Sequence, residues 1–552
     1  MLSTYTWPRY GTSPAPEVGG PLRRVPLVIV GAGPVGLAAA LDAAQRGLAP
    51  LLLDDDDTVS IGSRGVCYAK RTLEILDRLG LGQRVVDKGI TWNVGRTFHR
   101  AHEVFSFDLQ PEAGHQRPGM VNLQQYYLEQ YLVERAQALP GLDLRWKHKV
   151  GAVRALDDGV ELQVETAEGA YSLHADWLIV ADGARSPIRR AMGLDIEGQV
   201  FQDRFLIADV LLDREPFPLD RSERRFWFHP TFFAGQSALM HRQSDDVWRL
   251  DFQLGWEADP EAEKQPERVN PRIRQMLDQQ GFGDIGFTLE WVSVYTFQCR
   301  RMARFRHGRL LFVGDAAHQV SPFGARGANS GIQDTDNLLW KLALVIEGRA
   351  PETLLDSYDR ERTAAADENL LNSTRSTDFM TPKSRVARTL RDAVLSLAAD
   401  VPAGRALVNS GRLSVPTVLG DSPLNTPDAD AFDGWLLPGA PMDDAPVQGP
   451  QGEWLLPHLG AGFVLLVFGT PAAAVLDALR ALQTREPLQV LLVAGEAPGL
   501  PTLHDVQGLL AKRCDARPGT AYLVRPDQHV AARWRHVDTA SVQGALQRAT
   551  GH

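Results

Sequence analysis

The chain has 552 residues, enough for three or four domains of roughly 150 residues each. Its 44% hydrophobic and 23% charged residues are typical of a folded globular protein and exclude a globally disordered chain. The formal net charge of −10 argues against nucleic acid or an anionic membrane as a partner. The three cysteines are widely spaced, which excludes a disulfide scaffold and a CxxC metal site, and no bound metal is expected.

Residues 1–24 are predicted to form an N-terminal extension ahead of the first strand. They are rich in Pro and Gly and lack the apolar stretch that follows the basic start of a signal peptide. No apolar run in the chain reaches the roughly 20 residues needed to cross a bilayer. We therefore expect a cytoplasmic protein that does not enter a membrane.

A βαβ unit is predicted at the start of the folded chain. The run VPLVIV at 25–30 is apolar and rich in β-branched residues, GAGPVG follows at 31–36, and strong helix formers come next. A second apolar run at 48–54 ends in an acid, Asp54. Strand, glycine turn, helix and strand in this order are typical of a dinucleotide-binding fold.

The glycines of this turn fit the motif G-x-G-x-x-G. Gly31 allows a tight turn, Gly33 lets the backbone approach a pyrophosphate, and Gly36 lets the helix pack against the strand. The helix from Pro34 offers free N–H groups to phosphates, and Asp54 is placed to accept the hydroxyls of an adenosine ribose. An ordinary turn followed by an exposed acid is the alternative, and the motif alone does not separate FAD from NAD.

The predicted secondary structure changes from mixed α/β to mainly β further along the chain. Helical patterns at about 68–80 and 122–139 and alternating strands at about 143–180 continue the first domain. Residues 196–299 hold aromatic-rich strand candidates with few helices between them, which predicts a separate β-rich domain.

The second half returns to mixed structure. A strand followed by glycine is predicted at 309–318, and helices are predicted at about 330–347 and within 352–410. The segment 422–434 has the composition of a linker. A compact α/β module is predicted over 430–552.

Two further segments carry a family resemblance. DGARSPIRR at 182–190 and RLLFVGDAAHQVSPFGARGAN at 309–329 resemble the second and third signatures of the FAD-dependent aromatic hydroxylases, the flavin monooxygenases typified by para-hydroxybenzoate hydroxylase and phenol hydroxylase. The carboxy-terminal module resembles the thioredoxin-like domain of phenol hydroxylase and hydroxyphenylpropionate hydroxylase. It lacks CxxC, because its only cysteine is Cys514, so a structural role is expected.

The resemblance implies an α/β architecture with a discontinuous first domain. A Rossmann-like FAD-binding domain with a helical continuation would span 25–195 and 300–420, with the β-rich substrate domain inserted at 196–299. A thioredoxin-like domain would follow at 430–552, and the protein would be a homodimer.

The resemblance also implies several residues that hold FAD. Asp315 would accept a hydrogen bond from the ribityl chain, Arg64 would contact the pyrophosphate, and Gln125 would contact the flavin side. Asp182 would serve both FAD and the passing nicotinamide, with Arg189 as its partner. The alternatives are helix caps for Asp315 and Asp182, a structural ion pair for Arg64 and a surface position for Gln125.

The loop PFGARGAN would approach the isoalloxazine ring. Backbone N–H groups near Gly327, Ala328 and Asn329 would bind the pyrimidine oxygens and stabilise negative charge on the reduced ring. Pro322 matches the proline whose carbonyl lies near the reaction face. Arg326 stands where some relatives, with GGQG, have a neutral side chain.

The substrate residues are expected on the strand VWRLDFQL. Arg249 and Asp251 are two residues apart and so share a face. Asp251 would accept the proton of a phenol, and Arg249 would stabilise the phenolate or hold a carboxylate. A simple cross-strand Arg–Asp pair is the alternative. His241 and Tyr295 are further candidates for the pocket, although packing roles are common for such residues.

The function implied is an FAD-dependent monooxygenase that consumes NADH or NADPH and O2. It would hydroxylate a small phenolic substrate through a flavin C4a-hydroperoxide. The alternatives are epoxidation or Baeyer–Villiger-type oxidation of a larger polyketide or antibiotic-like substrate, and a flavin-binding protein without oxygenase activity. A flavin halogenase is not favoured, because the chain has no WxWxIP sequence.

Overall fold

The structure of the protein, a computed structural model, describes residues 2–110, 112–217, 222–233, 235–405, 407–408 and 414–552. Among these residues no helix is both long and apolar enough to cross a membrane.

The first domain is built on a twisted sheet whose centre is parallel. Strand Arg23–Val30 begins two residues before its predicted start and lies between two parallel neighbours. Its residues Leu27 to Ile29 are fully buried, as expected for a strand covered on both faces. The strands in spatial order are Arg306–His307, Leu310–Phe312, Gly169–Val180, Arg23–Val30, Leu51–Asp54 and Asp143–Trp146, with Gly159–Thr166 and Lys149–Leu156 paired beyond Gly169–Val180.

Helices cover this sheet and confirm the predicted mixed architecture. The helix Gly327–Ile346, almost entirely buried, packs against Pro34–Gln45. The other helices of this part are Lys70–Arg78, Gly82–Lys88, Gln125–Ala138, Pro187–Ala191, Asp356–Met380, Arg385–Asp400 and Pro402–Arg405, with 3-10 turns at Gly314–Ala316 and Glu352–Leu355. A small sheet of Cys67–Ala69, Met120–Asn122 and Ile90–Trp92 lies beside them.

The second sheet is larger than the predicted domain 196–299. Its strands in order are His318–Gln319, Phe287–Arg301, Glu197–Leu212, Val247–Gln253, Ser237–Arg242, Glu223–Phe228, Val94–His99 and His102–Asp108. Residues outside the predicted range supply strands at both edges of this sheet: His318–Gln319 at one edge, and Val94–His99 and His102–Asp108 at the other. The strands Glu223–Phe228 and Val94–His99 pair in parallel although more than 100 residues separate them in sequence, so no local sequence pattern predicts the pairing.

The two faces of this second sheet differ in chemistry. Trp248, Leu250 and Phe252 point to one side and pack in a core with the helix Pro266–Gln279, which a short helix Pro260–Glu263 precedes. The residues between them, Arg249 and Asp251, point to the other side, towards the first domain. The alternation of side chains along this strand therefore places the polar ones on the face that meets the first domain.

The carboxy-terminal module is a five-stranded mixed sheet with helices. Its strands in order are Thr502–Leu503, Leu488–Val493, Phe463–Phe468, Ala521–Val524 and Val530–Trp534, its helices are Ala473–Gln483, Leu509–Arg513 and Thr539–Ala549, and a 3-10 turn at Leu456–His458 and a hairpin of Pro446–Gly449 and Gly452–Trp454 precede them. The first two long strands are parallel and joined by a helix, whereas the last two are antiparallel. Its assignment as thioredoxin-like stays a prediction.

A buried ionic network joins this module to the first domain. Arg525 donates two hydrogen bonds to Glu361, at 2.7 and 3.0 Å, and also pairs with Asp527. Lys341 Nζ lies 2.7 Å from Glu361 Oε2, and Trp340 Nε1 donates to Asp527 at 3.1 Å. The ionic side chains are at most 1% exposed, so the module is docked through charges that water does not reach.

The amino-terminal extension packs on the first domain. Tyr5 contacts the rings of Trp7 and Tyr126, and Glu17 forms a buried ion pair with Arg145. The extension is therefore held by aromatic and ionic contacts that its composition does not predict.

We expect Cys514→Ser to leave turnover within about tenfold of wild type, roughly 1.4 kcal/mol in barrier terms. Cys514 is fully buried in an apolar cluster, and burial raises the pKa of its thiol. The module contains no second cysteine with which it could form a disulfide. Steady-state rates at matched protein stability measure this, and a larger loss in a stable variant would contradict a purely structural module.

Candidate active site

The glycine turn has the geometry that the motif predicts. Gly31 has φ +105°, and a Cβ there would overlap the carbonyl of Ala181. A Cβ on Gly36 would overlap the carbonyl of Gly31, so the helix lies directly against the turn. At Gly33 a Cβ would meet nothing within 4 Å, which leaves open space where a phosphate would lie.

The helix after the turn begins without a side-chain cap. Pro34 is its first residue, and the N-cap Gly33 has no side chain to satisfy the first N–H groups. Asp54 lies beside the turn, where its carboxylate accepts from Ala32 N at 2.5 Å and from Asp56 N at 2.8 Å. Burial raises the pKa of Asp54. Each of its oxygens keeps a lone pair for a ribose hydroxyl.

Asp315 is a carboxylate whose side chain has no partner among the described residues. It lies in the 3-10 turn Gly314–Ala316, and its side chain forms no hydrogen bond or ion pair with the residues described. The enclosing protein raises the pKa of Asp315, with His318 opposing, although solvent still reaches the side chain. A free carboxylate that solvent reaches is suited to accept a hydrogen bond from a ligand hydroxyl.

A second carboxylate, Asp334, holds the backbone of this turn in place. Asp334 accepts from Gly314 N at 3.0 Å, lies 2.7 Å from His318 Nε2, and accepts from Arg362 Nε at 2.7 Å. Although burial opposes it, His318 and then Arg362 lower the pKa of Asp334. Asp334 therefore positions the turn of Asp315.

The loop at 322–329 presents unpaired backbone donors. The N–H groups of Gly327, Ala328 and Asn329 open the helix and find no acceptor among the described residues. The carbonyl of Pro322 accepts from Ala325 N at 3.0 Å, which closes the loop on itself. The three donors could bind an anionic oxygen.

Two side chains hold this loop in place. Asn329 accepts from Ala69 N at 2.9 Å and donates to Cys67 O at 2.8 Å, which ties the helix start to the small sheet. Arg326 is buried and donates to Phe323 O at 3.0 Å. Asn329 thus clamps the backbone of the small sheet through its amide, a contact that the sequence did not reveal.

Arg64 and Gln125 lie at the same loop but differ in availability. Gly65 N donates to Gln125 Oε1 at 2.8 Å, and Gln125 Nε2 donates to Glu129 at 2.7 Å, so this amide already holds the loop. Arg64 is exposed, and its guanidinium forms no ion pair with the described residues; its charge acts on Tyr295. Arg64 is therefore free to bind an anionic ligand, whereas a flavin contact of Gln125 stays a prediction.

Asp182 combines a structural contact with a free oxygen. It accepts from Ile188 N at 3.1 Å at the start of a short helix, and its Oδ1 is buried without a partner in the described structure. Arg189, expected as its partner, donates instead to the carbonyls of Ala316 and Ala184 at 2.6 and 3.0 Å. The expected pair is therefore wrong, because two carbonyls already occupy the guanidinium.

Arg249 is neutralised by a residue that the sequence analysis missed. Its Nε donates to Asp209 Oδ1 at 2.9 Å, and the two residues are directly opposite on neighbouring strands. Arg249 also donates to Ser63 O of the first domain. The cross-strand pair expected as the alternative thus exists, but its carboxylate is Asp209 and not Asp251. A lone acid in the apolar strand FLIADVLL was the available signal.

Asp251 is left without a partner on the same face. It is half-buried, and its buried Oδ1 has no hydrogen-bond partner among the described residues. Burial raises the pKa of Asp251 to about 6, although Arg249 and Arg224 act to lower it. An unpaired carboxylate with a pKa near neutrality has the properties of a general base.

His241 belongs to a buried polar cluster beside this face. Its Nδ1 lies 3.1 Å from Asn122 Nδ2, and Cys67 Sγ donates to Asn122 Oδ1 at 3.2 Å. Burial and nearby arginines lower the pKa of His241 well below its usual value, so the ring is neutral. Tyr295 is opposite Phe205 and so lies on the same face of the sheet as Asp251, two strands away and 43% exposed. The enclosing protein, followed by Asp315, raises the pKa of Tyr295.

Aromatic rings connect Asp251 to the loop of Pro322. Leu239 and Ile207 lie directly beside Asp251 on the two neighbouring strands. Phe323 packs edge-on against Phe205, with ring centroids 5.2 Å apart, in the same cluster as Leu239. The space between the carboxylate and the loop is therefore bounded by apolar groups suited to an aromatic ring.

A cavity of about 1250 Å³ lies next to this region but does not include Asp251 or Asp315. Phe105, Phe107 and Met120 line one wall, and Val415 and Trp435 line another. Phe107 and Met120 also pack against Cys67 and Trp92, so the cavity borders the polar cluster.

Comparisons with known proteins agree with this geometry. The family described as FAD binding domain matches residues 24–373, more than half of the chain. A 6-methylpretetramide 4-monooxygenase of Streptomyces rimosus is 31% identical over 553 residues, covering 96% of this chain and 94% of that protein. A 3-(3-hydroxy-phenyl)propionate/3-hydroxycinnamic acid hydroxylase of Mycolicibacterium gilvum is 28% identical, covering 92% and 89%.

A solved structure also covers almost the whole chain. The flavin-dependent monooxygenase PieE, determined with FAD and substrate, superposes with a TM-score of 0.80 at 25% identity, covering 96% of this chain and 99% of that one. The open glycine turn, the free Asp315 and the unpaired donors at 327–329 fit an FAD molecule. The chain belongs to the FAD-dependent aromatic hydroxylase family of flavin monooxygenases.

Proposed function

We propose that this enzyme uses NADH or NADPH and O2 to hydroxylate a phenolic ring. The observation that carries the proposal is the unpaired Asp251, with its pKa of about 6, on the sheet face that meets the FAD-binding domain. A flavin-binding protein without oxygenase activity would have no need of such a carboxylate.

The chain offers a contact for each part of the cofactor. The turn of Gly33, the helix start at Pro34 and Arg64 would hold the pyrophosphate, Asp54 the ribose and Asp315 the ribityl chain. The donors at 327–329 would bind the pyrimidine oxygens. When bound, FAD would supply the transfer of electrons from NAD(P)H to O2.

Asp251 would act on the substrate hydroxyl. As a carboxylate it would accept the phenol proton, and the resulting phenolate is a more electron-rich ring for attack by an electrophilic oxygen. Arg249, already paired with Asp209, would act as a positioning residue that helps to keep Asp251 ionised. Leu239 and Phe323 would limit the access of water to the ring.

A second candidate substrate class is a polycyclic phenol. The cavity of about 1250 Å³, which adjoins the site without including Asp251, exceeds the roughly 300–1,000 Å³ of pockets for drug-sized ligands. One relative is named for 6-methylpretetramide, and another for phenylpropionate and hydroxycinnamic acid. A polycyclic phenol that binds more tightly than its single-ring fragment would favour this class.

The test is the consumption of NAD(P)H and O2 in the presence of a panel of phenols. We expect selected phenols to accelerate both and to yield a hydroxylated product by mass spectrometry. Absence of phenol-dependent O2 uptake across the panel, with FAD bound, would favour a flavin-binding protein without oxygenase activity.

We expect Asp315→Ala to weaken FAD retention and to abolish turnover. The only side-chain acceptor of this turn is lost, while Asp334 still holds the backbone in place. The ratio of flavin absorbance to protein absorbance after gel filtration measures retention. Wild-type occupancy in the variant would show that the ribityl site lies elsewhere.

A further inference from the structure

Four charged or polar side chains form a row across the second sheet. His241 is directly opposite Arg249, and Arg249 is directly opposite Asp209. Arg225 is opposite Met240, so the antiparallel register places Arg224 beside His241. The row faces the FAD-binding domain, because Arg224 Nη1 contacts Cys67 Sγ at 3.3 Å.

Arg224 differs from Arg249 in its partners within the described part of the chain. It is 6% exposed, forms no ion pair within the described residues, and its buried Nε has no acceptor there. Among the described residues, the one side-chain hydrogen bond of Arg224 goes to the thiol of Cys67. Burial raises the pKa of that thiol, so the sulfur is uncharged. The faces of Phe226 and Trp92 lie 5.1 and 5.8 Å from the guanidinium.

A buried cation of this kind is costly without an anion. Aromatic faces and a thiol compensate only part of the lost hydration of a guanidinium. In the same row, the lost hydration of the Arg249 guanidinium is compensated by hydrogen bonds to Asp209 and to the carbonyl of Ser63. The missing partner of Arg224 is therefore expected to come from a ligand.

The ligand group at Arg224 is distinct from the one at Asp251. The two residues lie on strands separated by a third and are offset by two residues along the sheet. Regular sheet spacings place their Cα atoms about 12 Å apart. Arg224 and Asp251 form no ion pair in the described structure, although the charge of Arg224 acts on the Asp251 carboxyl and helps to lower its pKa.

We propose that Arg224 binds a carboxylate carried by the aromatic substrate, on a short chain away from the ring hydroxyl that meets Asp251. This inference rests on the proposed function and names its substrate class as a phenol with an anionic substituent. The planar guanidinium would bind the carboxylate through charge-assisted hydrogen bonds.

The test compares two ligands of the oxidised, FAD-bound enzyme without NAD(P)H. The probes are 3-(3-hydroxyphenyl)propionate and its carboxamide, with dissociation constants from titration calorimetry. We expect wild type to bind the acid at least about tenfold more tightly than the amide, a difference of about 1.4 kcal/mol. Arg224→Gln is expected to bind both alike, and Arg224→Lys to retain part of the preference.

Arg225→Gln is the matched control. Arg225 is the next residue on the same strand, points to the opposite face and pairs with Glu223. We expect it to keep the wild-type preference for the acid. If Arg224→Gln loses FAD, Arg224→Lys tests the proposal instead, because lysine keeps the positive charge but lacks the paired N–H donors of the guanidinium.

Two results would overturn the proposal. One is a wild-type protein that does not prefer the acid, including one that binds neither probe. The other is an Arg224 variant, retaining FAD, that keeps the full preference. Because binding is measured without turnover, either failure is distinct from a failure of the proposed hydroxylation, which phenol-dependent O2 uptake reports.

Discussion

Asp251→Asn is expected to reduce the rate of product formation by about 10²–10⁴-fold, the usual loss when a general base is removed. The amide keeps the shape of the side chain but does not accept the phenol proton. Reduction of the flavin by NAD(P)H does not need this group and should continue. The electrons would then reduce O2 without hydroxylation of the phenol ring, so NAD(P)H consumption should yield hydrogen peroxide.

The pH dependence provides an independent check on Asp251. Its pKa of about 6 predicts that wild-type product formation falls as the pH drops below 6, because the carboxyl becomes protonated and no longer accepts a proton. Asp251→Asn should lack this step. The measurement is product formed per NAD(P)H consumed between pH 5 and 8.

A matched control is available two residues further along the strand. Gln253 lies on the same face and donates to Asp203, away from the phenol site. Gln253→Ala should keep most of the coupling. Wild-type coupling and rate in Asp251→Asn would make Asp251 a packing residue and direct attention to His241 and Tyr295.

Glu361→Gln is expected to destabilise the docked carboxy-terminal module by about 3–5 kcal/mol, as when one partner of a buried ion pair is removed. Glu361 is 1% exposed and is the shared anion of Arg525 and Lys341. Its loss leaves two cations buried beside one remaining carboxylate, Asp527. The urea midpoint and the rate of proteolysis near 422–434 measure the effect.

The pH dependence of stability follows from the same contacts. Although burial opposes it, Arg525 and then Lys341 lower the pKa of Glu361. The stabilisation is therefore present above the ordinary glutamate pKa of 4.5 and is lost as the pH falls below it. Glu361→Gln should show a weaker loss of stability with acid than wild type.

Glu352→Gln serves as the control for this prediction. Glu352 pairs with Arg306 and Arg309, but its side chain is 42% exposed. Solvent screens such a pair, so a loss below about 1 kcal/mol is expected. Equal effects of the two substitutions would show that the network does not hold the module.

The parts of the fold that depend on local signals were predictable. A β-branched run, a glycine turn and a helix starting at Pro34 are specified within about 30 residues, and the structure has them in place. The common face of Arg249 and Asp251 follows from strand periodicity alone. The contribution of 94–108 to the second sheet was not predictable, since it depends on pairing with a distant strand.

The partners of the site residues were less predictable than the residues themselves. The partner of Arg249 lies 40 residues away on another strand, so spacing favoured the nearer but wrong acid. Arg224 carries no motif; what distinguishes it from the neighbouring Arg225 is that it faces the first domain and forms no ion pair with the described residues, whereas Arg225 pairs with Glu223. Burial and pairing are properties of the tertiary structure.

The most direct test of the central claim is product formation under heavy-isotope O2, with NAD(P)H counted. An enzyme that hydroxylates a phenol with FAD should place one labelled oxygen atom in the product for each NAD(P)H consumed. Product without the label, or labelled O2 reduced only to hydrogen peroxide for every phenol tried, would contradict the account.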